Sequence, residues 1–336
     1  MSAREIRGAI HVHSDYSDGT GTVDEIIAAA QAAQLDFVIL TDHDNSDAAR
    51  DGYGGRYGKV LLVVGAEVSP PRGGHCLVLG AEDVHAYRWM PEKHYLHRLR
   101  RQNADIYVAH PEGRVKTTFG INLRQWHIWE SEHFDGIEIW SYMHDWVERL
   151  NPLNIPMYYL SPDSAIEGPN EKVLGLWDRL NLHRRVTGIG ALDAHAVKMG
   201  LGLFTAFKYE FLFGTILTHA LVDDWGSDAS ADTRRLRAAL KQARAYVAYE
   251  PLGSAEGFRF AADGLEMGDR AAFGGAVRLE AFLPQSGQIA FIHNGRKIAA
   301  EEGAKASFPA GEPGVYRLEV RLNGRPWIFS NPICLK

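Results

Sequence analysis

Seven short apolar runs recur between residue 9 and residue 195, and amphipathic stretches fill the spaces between several of them. They read "AIHVH" (9–13), "DFVILT" (36–41), "VLLVVGAEV" (60–68), "HCLVLG" (75–80), "DIYVAH" (105–110), "GIEIW" (136–140) and "VTGIGALDAH" (186–195). Runs this short, rich in Val and Ile, suit buried strands, and their alternation with helical periodicity predicts repeated βα units around a largely parallel sheet or barrel. Between the first two runs, Thr22 followed by Glu25 forms a capping box ahead of an alanine-rich helix. Further helices are predicted after Pro91, in "NEKVLGLWDRLNLHR" and in "SADTRRLRAALKQARA".

Beyond residue 250 the texture changes to short alternating segments split by glycine and proline. Two Asn-Gly pairs, Asn294-Gly295 and Asn323-Gly324, each lie between apolar alternations, the strongest short-range hairpin signal. The expected architecture is therefore α/β over residues 1–250, followed by a small all-β sandwich over 251–336 whose role the sequence leaves open. A length of 336 residues accommodates both. The net charge of −6 offers no general attraction for nucleic acid or anionic membrane. No segment approaches the ~18 uninterrupted apolar residues of a membrane span, and the charged start "MSAREIRGAI" lacks a leader's apolar core, which points to the cytoplasm. The two cysteines, Cys76 and Cys334, are far apart in strand-like surroundings and read as buried thiols.

The chemistry gathers where the runs end. His11 and His13 stand two apart, so the two-residue period of a strand sends both to one side. Asp18 follows in a glycine turn, His43 ends the second run, Glu67 the third, His75 opens the fourth, His110 ends the fifth, and Asp193 and His195 close the last. Strand C-terminal ends are where such barrels build active sites. These imidazoles and carboxylates are too many for one ion, so two or three divalent ions are expected. Imidazole gives affinity for zinc, manganese or iron while the carboxylates offset the charge. Closely spaced ions can share a hydroxide and clamp phosphoryl oxygens, which suits phosphoester hydrolysis.

"HVHSDYSDG", "TDHD", Glu67 in "GAEV", His75 in "GGHCLVLG", "AHP" and "DAH" together resemble the PHP (polymerase and histidinol phosphatase) family of metal-dependent phosphoesterases over roughly residues 6–250. The resemblance implies a distorted (β/α)7 barrel with a trinuclear metal centre. Carried over, His11, His13, Glu67 and Asp193 hold one ion; Glu67 bridges to a second held by His75 and His110; Asp18, His43 and His195 hold the third. It further implies a metal-bridging hydroxide acting on a small phosphorylated substrate: a nucleotide, a short oligonucleotide or a sugar phosphate. No stable nucleic-acid complex is expected.

Fixed cations commonly assist metals in holding anions. Arg114, Lys116 and Lys198 follow ligand positions closely, Asn45 follows the second run, and Tyr142 lies just past "GIEIW"; these are the substrate-binding candidates. His144 and His219 fall among the histidines assigned to surface or packing, with His219 the one to test for proximity to the rim. Two rival readings remain: an amidohydrolase-type enzyme cleaving C–N bonds, and a binding protein in which metal only stabilises the scaffold.

Overall fold

The computed structural model describes residues 3–71, 73–112, 124–199, 204–226 and 228–336. The fold is mixed α/β, and no helix among the described residues is long and apolar enough to cross a membrane. The strand Arg4–Val12 pairs in parallel with Phe37–Leu40, which pairs in parallel with Val60–Val64. On its other side Arg4–Val12 pairs antiparallel with Ile216–Val222, itself antiparallel to Ala245–Tyr249. A second sheet runs Ala66–Val68, Cys76–Leu79, Asp105–Val108, Gly136–Ser141, Thr187–Ala191; its last three strands are parallel and its first three antiparallel.

Hydrogen bonding thus defines open sheets rather than one closed parallel ring. The cause is local. Only residues 69–75 separate Ala66–Val68 from Cys76–Leu79, too few for the crossover that a parallel pair needs. The two sheets meet where Thr187–Ala191 lies against Arg4–Val12, Ile216–Val222 and Ala245–Tyr249. Gly190 permits the approach, because a Cβ there would sit 2.5 Å from Val247 Cγ1 and 2.8 Å from Ile216 Cγ2.

Helices form where the periodicity predicts them. Val23–Ala32 carries both hydrogen bonds of the Thr22/Glu25 capping box, and Glu92–Arg101, Glu171–His183 and Ala229–Lys241 match the other three amphipathic stretches. Beyond a single 3-10 turn at Glu250–Leu252 the regular structure is all β, with both Asn-Gly pairs at hairpin turns: Asn294 and Asn323 take φ of 50° and 52°, and each following glycine is also left-handed. This tail does not stand apart. Arg325–Ser330 pairs antiparallel with Ala245–Tyr249, so the tail's sheet continues the first one. Its apolar cluster, built on Phe258, Phe260, Phe291 and Trp327, takes in Tyr246 and Ala248 from that shared strand. Cys76 and Cys334 are buried free thiols.

Candidate metal centre

The antiparallel turns of the second sheet explain why ligand candidates from different positions along their strands share one rim. His75 precedes a strand whose start lies beside the end of Asp105–Val108, and the Ala109 amide donates to the His75 carbonyl at 3.0 Å. His43 and Glu67 are joined by an isolated parallel bridge, as are Val12 and Ala194. Gly19 keeps the Asp18 turn close, since a Cβ there would lie 2.4 Å from the His13 carbonyl oxygen.

At the centre four side-chain atoms converge. His11 Nε2 lies 3.3 Å from Glu67 Oε2 and 3.2 Å from Asp193 Oδ1; His13 Nε2 lies 3.5 Å and 3.4 Å from the same two oxygens. His11 Nε2 and His13 Nε2 are buried without a hydrogen-bond partner, and Glu67 Oε2, equally buried, has His43 Nδ1 at 2.9 Å. Such atoms are costly to leave unsatisfied. The spacing supplies the reason: a tetrahedral ion with bonds of about 2.0–2.2 Å needs its ligands about 3.3–3.6 Å apart. His11, His13 and Glu67 therefore fit a divalent ion in both chemistry and size, and Asp193 Oδ1 lies at ligand spacing from both imidazoles.

Around this cage, Glu67 Oε1 meets His75 Nδ1 at 2.9 Å and His110 Nε2 at 3.2 Å. Toward solvent, Asp18 meets His195 Nε2 at 3.2 Å, His43 Nε2 at 3.5 Å and His13 Nδ1 at 3.8 Å. The structure thus brings together His11, His13, Asp18, His43, Glu67, His75, His110, Asp193 and His195, in overlapping groups each able to hold a metal ion.

Two residues missing from the sequence reading join them. His144, taken as a packing residue, lies with Nε2 3.6 Å from Asp193 Oδ2 and its ring stacked on His110 at 4.0 Å. Glu138 accepts from His11 Nδ1 at 2.6 Å and from the His110 amide at 2.8 Å. The signal for Glu138 was present: it is the one charged residue in "GIEIW", a strand buried throughout. His144, in the first turn of a helix after that strand, had no comparable mark.

The period-two argument for His11 and His13 needs correction. A register shift separates Ile10 from Val12, and His11 sits in the bulge with φ of 67°. The bulge re-aims its side chain into the cage. Asp193 (φ 57°) and His110 (φ 27°) are also left-handed, a strain of about 1–3 kcal/mol each that collects at functional sites.

The charges are mutually supporting. Burial would raise the Glu67 and Asp193 carboxyls, yet the surrounding imidazoles hold both well below the usual carboxylate range. Burial also disfavours charge on His43 and His195, but hydrogen bonds to Asp18, joined at His43 by one to Glu67, lift them to about 10 and about 9. His13 goes the other way, to about 3, through burial and the neighbouring His195.

The substrate candidates fare less well. Asn45 is buried, with Nδ2 donating to the Tyr16 and His43 carbonyls and Oδ1 accepting from the Asp47 amide, so it shapes the turn and has no polar atom to spare. Tyr142 is a core residue whose hydroxyl donates to Asp163 at 2.9 Å. His219 is far from the rim, bonded to Glu5 and Glu250. Lys198 is exposed and lines a 240 Å³ cleft with Thr20, Lys208 and Tyr209. Arg114 and Lys116 lie outside the described residues.

The PHP domain family matches residues 9–123. No curated protein matches the sequence. Among solved structures, the chain is similar to a two-domain protein of Bacteroides vulgatus described as containing a predicted PHP-like metal-dependent phosphoesterase, at 14% identity over 98% of this chain and 96% of that one, TM-score 0.49. It is similar to PsfC of Pseudomonas syringae at 14% identity over 68% and 87%, TM-score 0.42. A third likeness is to endonuclease Q in complex with a duplex bearing an abasic lesion, at 13% identity over 69% and 56%, TM-score 0.38.

Proposed function

We propose, from the match of residues 9–123 to the PHP domain family, that this chain is a metal-dependent phosphoesterase acting on a small phosphorylated substrate. The observation that carries the reading is the buried cluster of His11, His13 and Glu67, close enough to share one ion, with Asp193 Oδ1 3.2 and 3.4 Å from the two imidazoles. In this reading that cage holds the first ion, Glu67 is shared with a second ion held by His75 and His110, and Asp18, His43 and His195 hold a third. Zinc, manganese and iron suit such a mixture. Bound ions supply acidification of water and neutralisation of charge on phosphoryl oxygens.

The chain's own residues hold this arrangement ready. Glu138 fixes the His11 ring by accepting its Nδ1 proton, which leaves Nε2 as the ligand atom. The Asp193 carbonyl does the same for His195 at 2.9 Å. Asp42 accepts from the Ser14 amide and from both the Ser14 and Ser17 hydroxyls, tying down the turn that presents Asp18. Lys198 and Lys208, beside Thr20, offer fixed positive charge to a substrate anion. We read the two sheets of residues 1–250 as a distorted (β/α)7 hydrolase unit and 251–336 as a β unit that braces it.

The test is hydrolysis of p-nitrophenyl phosphate and bis(p-nitrophenyl) phosphate by the full chain reconstituted with manganese or zinc, with metal content measured on the same sample. Turnover of at least one ester is expected, with a loss of about a hundredfold or more in Glu67→Gln, because removing a ligand should exceed the 10- to 100-fold cost of removing a ligand's support. Full metal loading with no turnover of either ester would sink the reading.

A further inference from the structure

The ligands assigned to the third ion are the exposed ones. The side chain of Asp18 is 59% exposed, that of His43 27% and that of His195 20%, whereas those of His11, His13 and Glu67 are fully buried. A ring at such a mouth is only loosely gripped by packing, so hydrogen bonding has to decide which of its nitrogens faces the ion. For His195 the Asp193 carbonyl does this at Nδ1. For His43 the task falls to a residue outside the ligand set.

His43 and Glu67 lie side by side in their isolated bridge, which brings Asp44 next to Ser69. The Asp44 amide donates to the Glu67 carbonyl at 2.8 Å, and Asp44 Oδ1 accepts from the Ser69 amide at 2.8 Å. Asp44 is buried and left-handed, with φ of 52°, and its Oδ2 lies 3.6 Å from Arg88 Nε. These contacts fix the Ser69 backbone and leave its side chain free for another use. The hydroxyl donates to the Glu67 carbonyl at 3.3 Å and has His43 Nδ1 2.6 Å away. A hydroxyl has one proton to give, so toward His43 the Ser69 Oγ accepts. Nδ1 then keeps the ring proton, and Nε2, 3.5 Å from Asp18 Oδ2, is the nitrogen open to a metal. Glu67 Oε2 also lies 2.9 Å from His43 Nδ1, but in the three-ion arrangement that oxygen serves the first ion. Ser69 is the acceptor that remains.

We propose that Ser69 is a positioning residue for His43: its hydroxyl sets the ring so that Nε2 faces the third ion, and Asp44, backed by Arg88, sets Ser69. The inference rests on the three-ion assignment of the phosphoesterase reading. Affinity at the third position then depends on a side chain that touches no metal, while the first two positions are indifferent to it.

The experiment titrates the metal-free full chain with manganese by calorimetry and counts bound manganese by elemental analysis. The parent should bind three ions. Ser69→Ala, which keeps the amide bond to Asp44, should weaken one of them by about 10- to 100-fold and leave the other two unchanged. Ser69→Thr, which keeps the hydroxyl, should stay close to the parent. His195→Ala removes a ligand of the same ion, and adding Ser69→Ala to it should change nothing further, a coupling that a residue supporting only the fold would not show. Unchanged binding in Ser69→Ala, an equal loss in Ser69→Thr, or a further loss in the His195→Ala background would overturn the proposal. A parent that binds two ions or fewer would overturn the third-ion assignment and the proposal with it. Turnover is no part of the readout, so the full pattern in a chain that hydrolyses no ester would overturn only the phosphoesterase reading.

Discussion

His11 shows how much one residue's surroundings decide. Its ring is fully buried between Glu138 on the Nδ1 side and Glu67 with Asp193 on the Nε2 side, and its backbone is left-handed. Burial opposes a proton there, but Glu138, Glu67 and Asp193 together hold its pKa well above the ordinary imidazole range. Removing Glu138 frees the ring to turn. Glu138→Ala should therefore weaken metal binding by about 10- to 100-fold while leaving every ligand in place, measured by competition with a chromogenic chelator; unchanged affinity would show that Glu138 only satisfies the His110 amide. His13→Ala should lower both metal content and thermal midpoint, the first by calorimetry and elemental analysis, the second by melting with and without manganese. The imidazoles and carboxylates at the ends of apolar runs were legible as candidate ligands because charge there has no other evident use. The turn role of Asn45, bonded to His43 and Asp47, was as legible as a substrate role, whereas the bond from Tyr142 to Asp163 joins positions too far apart in sequence to be foreseen.

At the level of elements, local rules were sufficient wherever the interaction was local. The Thr22 cap and the two Asn-Gly turns depend on residues three or fewer positions apart, and each forms as the sequence predicts. Thr22→Ala should cost about 1 kcal/mol in chemical denaturation. The junction between Ile216–Val222, Ala245–Tyr249 and the start of the tail depends instead on a buried network. His219 binds Glu5 at 2.8 Å and Glu250 at 3.2 Å and stacks on Tyr246, whose hydroxyl donates to Glu5 and to the Ala255 carbonyl. Burial works against charge on His219, but the bonds to Glu250 and Glu5 raise its pKa above 6.5; burial likewise opposes charge on Glu5, which His219 and Tyr246 hold below 4.5. A raised imidazole stabilises fully below its unfolded value and loses that contribution as pH rises through the folded one; a lowered carboxyl does so above its unfolded value and loses it as pH falls. The network's stabilisation should thus peak between about 4.5 and 6.5 and decline on both sides. The stability difference between the parent chain and His219→Gln, followed by urea denaturation across pH, should trace that peak. A flat difference would mean that His219 is neutral throughout.

Across the whole molecule, the tail is fastened to the rest through buried polar contacts as well as through a shared sheet. Arg317, 3% exposed, holds Asp178 through two bonds of 2.6 and 2.8 Å, and Asn331 bonds to both polar backbone groups of Gly188 and to the Ala245 carbonyl. Removing Asp178 leaves the buried Arg317 guanidinium with Glu319 as its one remaining carboxylate partner among the described residues. Asp178→Ala should cost about 3–5 kcal/mol, and replacing both partners by apolar residues should recover much of it, as a double-mutant cycle by urea denaturation would show. A chain ended after residue 250 should show no cooperative unfolding transition, because it exposes the apolar face that Tyr246 and Ala248 share with Ile328 and Trp327. The change of texture near residue 250 marks where α/β alternation gives way to all-β structure, but not whether the two parts come away from each other. The sequence by itself determined the strands, the capped helices, the hairpins and the kinds of atoms offered at the strand ends, since periodicity, turn chemistry and ligand chemistry are carried by neighbours along the chain. Only the tertiary structure decided that His11 is re-aimed by a bulge, that His144 and Glu138 join the centre, and that the tail's sheet continues Ala245–Tyr249. Each of these depends on contacts between distant segments, and no local propensity encodes which segments will meet.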